Sequence, residues 1–173
     1  MPDAPKKPAA PVDFYFDFSS PYGYFAAEKI DALAARHGRT VHWHPFLLGA
    51  TFKVTGLGPL PGIPLKGAYS MHDIARSARF FGLPYRQPST FPIPTQHAAR
   101  AFLWLNDRSP QQAREFGLAA YRAYFVDDVN ISDLGAVLTG RTQLVDQVGH
   151  GPLGALDALP LASGAGGAHV GAV

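Results

Sequence analysis

Residues 12–22 read Val12-Asp13-Phe14-Tyr15-Phe16-Asp17-Phe18-Ser19-Ser20-Pro21-Tyr22, and the reading of this stretch decides the fold class. Val12 to Phe18 is rich in aromatic residues, and a period of two puts Phe14, Phe16 and Phe18 on one face of a strand. Ser19-Ser20-Pro21 breaks that period. From Tyr22 to His37 the pattern is helical, with Phe25, Ala26, Ile30, Leu33 and Ala34 at helical spacing and Gly38 as the stop. Thr40 to Phe46 (TVHWHPF) reads as a second short strand. Two strands joined by a helix of this length form a parallel βαβ unit with a right-handed crossover.

Outward from that unit, Leu47 to Pro64 reads as a Gly/Pro-rich loop, and Lys66 to Phe81 as a helix stopped by Gly82-Leu83-Pro84. Tyr85 to Pro94 is a Pro-rich connection. Thr95 to Asp107 and Pro110 to Phe125 read as a helical hairpin, with Ser109-Pro110 as cap and first-turn proline. Asp127 to Asp133 leads toward a further helix. The opening residues, Met1 to Pro11 (MPDAPKKPAAP), are expected to form a disordered arm.

Composition narrows the function. The 173 residues are 47% hydrophobic and 16% charged, which suits one domain with its own core. There is no cysteine, so disulfides, a Cys-x-x-Cys redox centre, thiolate metal sites and a cysteine nucleophile are excluded. Any thiol used in catalysis must come from outside. The net charge of +2, with scattered basic residues, gives no footprint for nucleic acid. No apolar run of about 18 residues suggests a membrane span and no secretory signal shows, so a cytoplasmic protein is the default. All 21 aromatic residues lie between Phe14 and Phe125, while 134–173 holds nine of the 18 glycines, so that tail needs a separate reading.

The junction Phe18-Ser19-Ser20-Pro21-Tyr22 carries the chemistry. Open α/β sheets place ligands at the carboxyl ends of their strands. A helix start adds unpaired N–H groups and the positive end of the macrodipole, which favour an anion, and a serine hydroxyl there can donate to it. Spacing alone is equally met by an ordinary Ser cap followed by Pro, the commoner reason for such a pair. No Gly-x-Ser-x-Gly elbow supports a hydrolase serine.

The segment VDFYFDFSSPYGYFAAEKI resembles the start of 2-hydroxychromene-2-carboxylate isomerases and kappa-class glutathione transferases. Three further segments continue the resemblance in order: HWHPFLLGATFKVTG, KGAYSMHDIARSARFFGLPYRQPSTFP and AYRAYFVDDVNISD. It spans residues 12–133. The resemblance implies an α/β, thioredoxin-like fold of the DsbA/kappa type with an all-helical insertion. It places Ser20 where DsbA has its first active-site cysteine, holding and activating the thiolate of glutathione; Ser19 stands where relatives often have an apolar residue. The implied activity is glutathione-dependent cis-trans isomerisation of an aromatic-derived substrate, 2-hydroxychromene-2-carboxylate, in aromatic-hydrocarbon breakdown. Pro21 and Tyr22 would line the glutathione site beside Ser20. A kappa-type transferase and a non-catalytic remnant are the alternatives.

Other candidates are weaker. Lys53 in the Gly/Pro-rich loop is a candidate for a substrate or glutathione carboxylate, against the ordinary reading of an exposed loop lysine. Lys66, Tyr69, Asp73 and Arg76 share one helical face, which resembles the family's Lys-x-x-Tyr pattern but is also what a solvated charged face looks like. The asparagine common in the family's preceding loop is missing from TGLGPLPGIPLKG. Phe91-Pro92-Ile93-Pro94-Thr95 with Arg100 resembles a further family segment, with its usual asparagine changed as well. His42 and His44 lie two apart on a strand and share a face, but no further ligand stands near them in sequence, and no metal site is expected.

Beyond Asp133 the family pattern stops. Relatives continue into a turn with a cis-proline and then two strands and a helix that close the sheet. Here Gly151-Pro152 and Leu159-Pro160 are the only X-Pro pairs of the tail, and no β-branched or aromatic strand follows either. The Gly/Ala-rich residues 134–173 are therefore expected to be out-of-frame or truncated sequence, with the C-terminal part of the sheet missing. Unpaired strands would then leave a sheet edge open and make the domain weakly stable or dependent on association, as in a homodimer.

Overall fold

In the computed structural model, residues 9–133 and Gly135 are described. Strand β1 (Val12–Phe16) is followed by helix α1 (Pro21–Arg36), strand β2 (Val41–Pro45), and helices α2 (Leu48–Thr55), α3 (Lys66–Phe81), α4 (Gln96–Asn106) and α5 (Pro110–Phe125). The two strands pair in parallel, Val12 with Val41, Phe14 with Trp43 and Phe16 with Pro45. The βαβ unit expected from the alternation of periods is present. The fold class implied by the resemblance, α/β with a helical insertion, holds as well. The reading of 134–173 and most of the N-terminal arm lie outside the described residues; Ala9 to Pro11 are exposed, and Arg39 donates to the carbonyls of Ala10 and Pro11.

The strand alternation sorts the sheet into two faces. Phe14, Phe16, Val41 and Trp43 are buried, while Asp13, Tyr15 and His42 point outward. Phe16 sits at the centre of the core, with ring centroids of Phe14, Phe18, Trp43 and Phe102 between 5.1 and 5.4 Å away. Most of these rings meet edge to face, the arrangement the ring quadrupole favours, at about 0.5–1.5 kcal/mol per pair beyond burial. From α5, Phe116, Tyr121 and Phe125 complete this cluster. The aromatic residues concentrated in sequence thus concentrate in space.

Helix ends follow the serine–proline rule twice. Ser20 caps α1 and Ser109 caps α5, each side chain accepting an N–H from three residues on, with proline at the first helical position. On their outer sides α1 and α5 are joined by Arg122, which donates two bonds of 2.7 Å to the Glu28 carboxylate.

Two expectations need correction. The stretch from Leu47 to Pro64 is not a loop throughout: it contains α2 and a 3-10 turn at Leu60–Gly62. No residue of α2 is buried, so no apolar period marks it in sequence. Strand β1 also ends at Phe16 rather than Phe18. The chain bends at Asp17, and for that reason Asp17 and Phe18 are both buried although alternation would separate them.

Candidate functional site

The bend after β1 is built around Asp17, which is 5% exposed. Its carboxylate accepts the Ser19 N–H at 2.7 Å and the Thr95 hydroxyl at 3.1 Å on Oδ1, and the Leu48 N–H at 2.6 Å on Oδ2. Its carbonyl accepts the Ser20 N–H and the Tyr121 hydroxyl, each at 2.9 Å. One buried carboxylate therefore joins the start of α1, the start of α2 and the start of α4. Each donor is a group at a turn or helix end with no helical partner of its own. Burial in the core pushes the Tyr121 phenol well above its ordinary pKa, so it remains a donor.

Ser20 is held at the tip of α1. Its Oγ accepts the Gly23 N–H at 3.1 Å and its carbonyl accepts the Tyr24 N–H at 3.0 Å. Pro21 has no N–H. Among the described residues, this leaves the Ser20 hydroxyl hydrogen and the Tyr22 N–H as donors at the positive end of the helix. Gly23 is required by packing here: a Cβ would lie 2.6 Å from the Tyr121 hydroxyl and 3.2 Å from Ser20 Cβ. The tyrosine that supports Asp17 thus passes directly against the first turn of α1.

Two other segments close on the turn. The Ile93 N–H donates to Ser19 Oγ at 3.1 Å, and the Tyr124 hydroxyl holds the Thr90 carbonyl at 2.8 Å, so the connection before α4 is pinned beside Ser19 and its Phe91–Pro92 bond is cis. On the other side, the Tyr22 hydroxyl donates to Asp73 Oδ2 at 2.8 Å, and Arg76 pairs with the same carboxylate. Arg76 first, then Tyr22, hold the Asp73 carboxyl below its ordinary pKa. Partial burial, and then the bond to Asp73, push Tyr22 up to about 12, which keeps its phenol neutral.

Of the residues singled out in sequence, Ser20, Pro21 and Tyr22 form one turn, and tertiary structure adds Asp73 and Arg76 to it. The α3 face is thus partly engaged rather than wholly solvated. Lys53 is exposed on the last turn of α2, and no described contact joins it to Ser20. Sequence reading missed Asp17. Strict alternation would put it on the outer face with Asp13, and the only signal was a carboxylate between two phenylalanines. It also missed Gly23, because nothing local shows that a ring from α5 would need its space.

Residues 11–140 match the DSBA-like thioredoxin domain, and the chain belongs to that family. Within it, residues of this chain are 39% identical over 92 positions to glutathione S-transferase kappa 1 of Caenorhabditis elegans, covering 53% of this chain and 38% of that protein. They are 31% identical over 116 positions to a 2-hydroxychromene-2-carboxylate isomerase of Sphingobium xenophagum, covering 64% of this chain and 55% of that one. The chain thus matches only about two fifths to just over half of the length of these two relatives. Among solved structures, a 2-hydroxychromene-2-carboxylate isomerase superposes with a TM-score of 0.67 at 22% identity, over 87% of this chain and 70% of that one. That likeness establishes the fold. Both related groups are enzymes.

Proposed function

We propose that this protein binds glutathione with its thiol at the tip of α1 and acts as a glutathione-dependent cis-trans isomerase of the 2-hydroxychromene-2-carboxylate type. The observation that carries the reading is the use of Ser20 Oγ as acceptor for the Gly23 N–H. With one oxygen lone pair engaged by the helix, the hydroxyl keeps its hydrogen to donate outward, beside the Tyr22 N–H. A thiolate in that position is stabilised by both donors and by the helix dipole, which lowers the thiol pKa. The absence of cysteine agrees with a sulfur supplied by the cofactor.

The chemistry requires no further group from the protein at the reacting carbon. Bound glutathione would supply a thiolate that adds reversibly to the conjugated enone of the ring-opened substrate, allowing rotation about the former double bond before the thiolate leaves and the double bond re-forms in the trans geometry. Pro21 and Tyr22 line the cofactor site. The neutral Tyr22 phenol, fixed by Asp73, forms one wall. Lys53 is assigned to a substrate or glutathione carboxylate.

The test is calorimetric titration with glutathione, followed by assay of the chromene carboxylate. Ser20→Ala should lower the isomerase rate about 100-fold, the scale of one lost donor to a developing anion. Full activity in that variant sinks the assignment. The 39% identity to a kappa-class transferase favours a second reading, conjugation of electrophiles at the same site. Turnover of a chloronitroarene without isomerisation would select it, and no thermal shift with glutathione would point to a non-catalytic protein.

A further inference from the structure

The outer face of the β1–β2 pair carries a cluster unrelated to Ser20. Parallel register sets Asp13 beside His42 and Tyr15 beside His44, and all four side chains emerge on the face away from the aromatic core. His44 Nε2 lies 2.9 Å from Asp13 Oδ1, and His42 Nδ1 lies 3.8 Å from the same oxygen. One ligand atom from each of the three lies within 4.8 Å of the others. The Tyr15 ring stacks on His44 at 4.8 Å and 23°, restricting the imidazole on one side.

We propose that Asp13, His42 and His44 form a binding site for a divalent transition-metal ion of the zinc, cobalt or nickel kind, which clips β1 to β2. In a tetrahedral site with bonds of about 2.0 Å, ligand atoms stand roughly 3.3 Å apart. The Asp13–His44 edge is already that short, and small rotations of exposed side chains close the other two. Two imidazoles and one carboxylate, with no thiolate, suit borderline ions rather than calcium or magnesium. The side chains of Asp13, His42 and His44 are 54%, 59% and 40% exposed, so the ion reaches them without a large desolvation cost. His42 and His44 also border a cavity of about 450 Å³ with Asn106 and Arg114. One ligand comes from β1 and two from β2, so an ion bound only by the folded state raises its stability.

The experiment titrates the full chain, freed of metal by chelation, with Zn²⁺ by calorimetry and with Co²⁺ by visible absorption. The expected result is one equivalent bound, with cobalt bands of a nitrogen/oxygen site, a Zn²⁺-dependent rise in melting temperature, and no response to Mg²⁺. His42→Ala and His44→Ala should each weaken Zn²⁺ at least roughly tenfold, and Asp13→Asn by a similar factor. The double histidine variant should lose both the binding and the thermal shift, while His72→Ala, an exposed histidine on α3, should change neither. Circular dichroism checks that the variants fold; should the double variant unfold, the three single variants decide. No bound equivalent in the parent chain, or equal binding in the single variants, would overturn the proposal and leave the trio a surface hydrogen bond. Neither result depends on glutathione binding at Ser20.

Discussion

Asp17 shows how much one side chain can organise. Both carboxylate oxygens face backbone N–H groups, Ser19 on Oδ1 and Leu48 on Oδ2. Asparagine has nearly the same shape but replaces one oxygen with an NH₂. Whichever way the amide turns, a donor meets a donor at one end. Asp17→Asn should therefore destabilise the fold by about 1–3 kcal/mol, the cost of a buried unsatisfied group. Urea unfolding measures this, and an unchanged midpoint would show that the carboxylate is not the hub described. Gly23 belongs to the same arrangement, since the Tyr121 hydroxyl that reaches Asp17 occupies the space of its missing side chain. Neither residue stands out in the sequence, because their partners lie in segments far along the chain.

Among the elements, those with a buried face were legible. The period of α3 places Ile74 and Ala78 in the core, and its observed bounds, Lys66–Phe81, coincide with those expected. The helix α2 escaped notice because its hold on the fold is a hydrogen bond at its first residue, not an apolar stripe. In the first turn of α3, Gly67 lies against the 3-10 turn, where a Cβ would overlap the Pro61 carbonyl oxygen and sit 2.9 Å from its carbon. An alanine inside a helix ordinarily stabilises it by up to about 1 kcal/mol relative to glycine. Here the sign should reverse: Gly67→Ala is expected to cost about 1–3 kcal/mol through overpacking against backbone. Faster amide exchange at Gly62 and Ile63, whose N–H groups close the 3-10 turn, would accompany the loss. A more stable variant would contradict this packing.

The whole molecule is held by an aromatic core in which several phenols are withdrawn from water. Burial is the leading cause that raises Tyr24 and Tyr85 to about 12 and Tyr121 well above its ordinary 10.0. Between pH 10 and 12 the folded chain therefore keeps protons that the unfolded chain has released. Stability should be intact below the ordinary tyrosine pKa and fall as pH rises through that window. Denaturant midpoints should fall through that window; ionisation of all seven tyrosines with the fold intact would count against burial of these rings.

The aromatic alternation of Val12–Phe18, the switch to helical period after Pro21 and the Ser-Pro caps depend on neighbours within a few residues, so the βαβ unit and the bounds of most helices followed from the sequence by itself. The linked segments through Asp133 likewise indicated the family to which the chain belongs. What surrounds Ser20 was decided only by tertiary structure: the Tyr121 hydroxyl reaches Asp17 from 104 residues away, and the Tyr22 hydroxyl meets Asp73 across 51. Asp13 joins His44 across 31 residues through the strand register. A periodic pattern states which face a residue occupies, but not which distant group shares that face. Hydrogen bonds, close packing and metal ligands require that second piece of information, which exists only once the chain is folded.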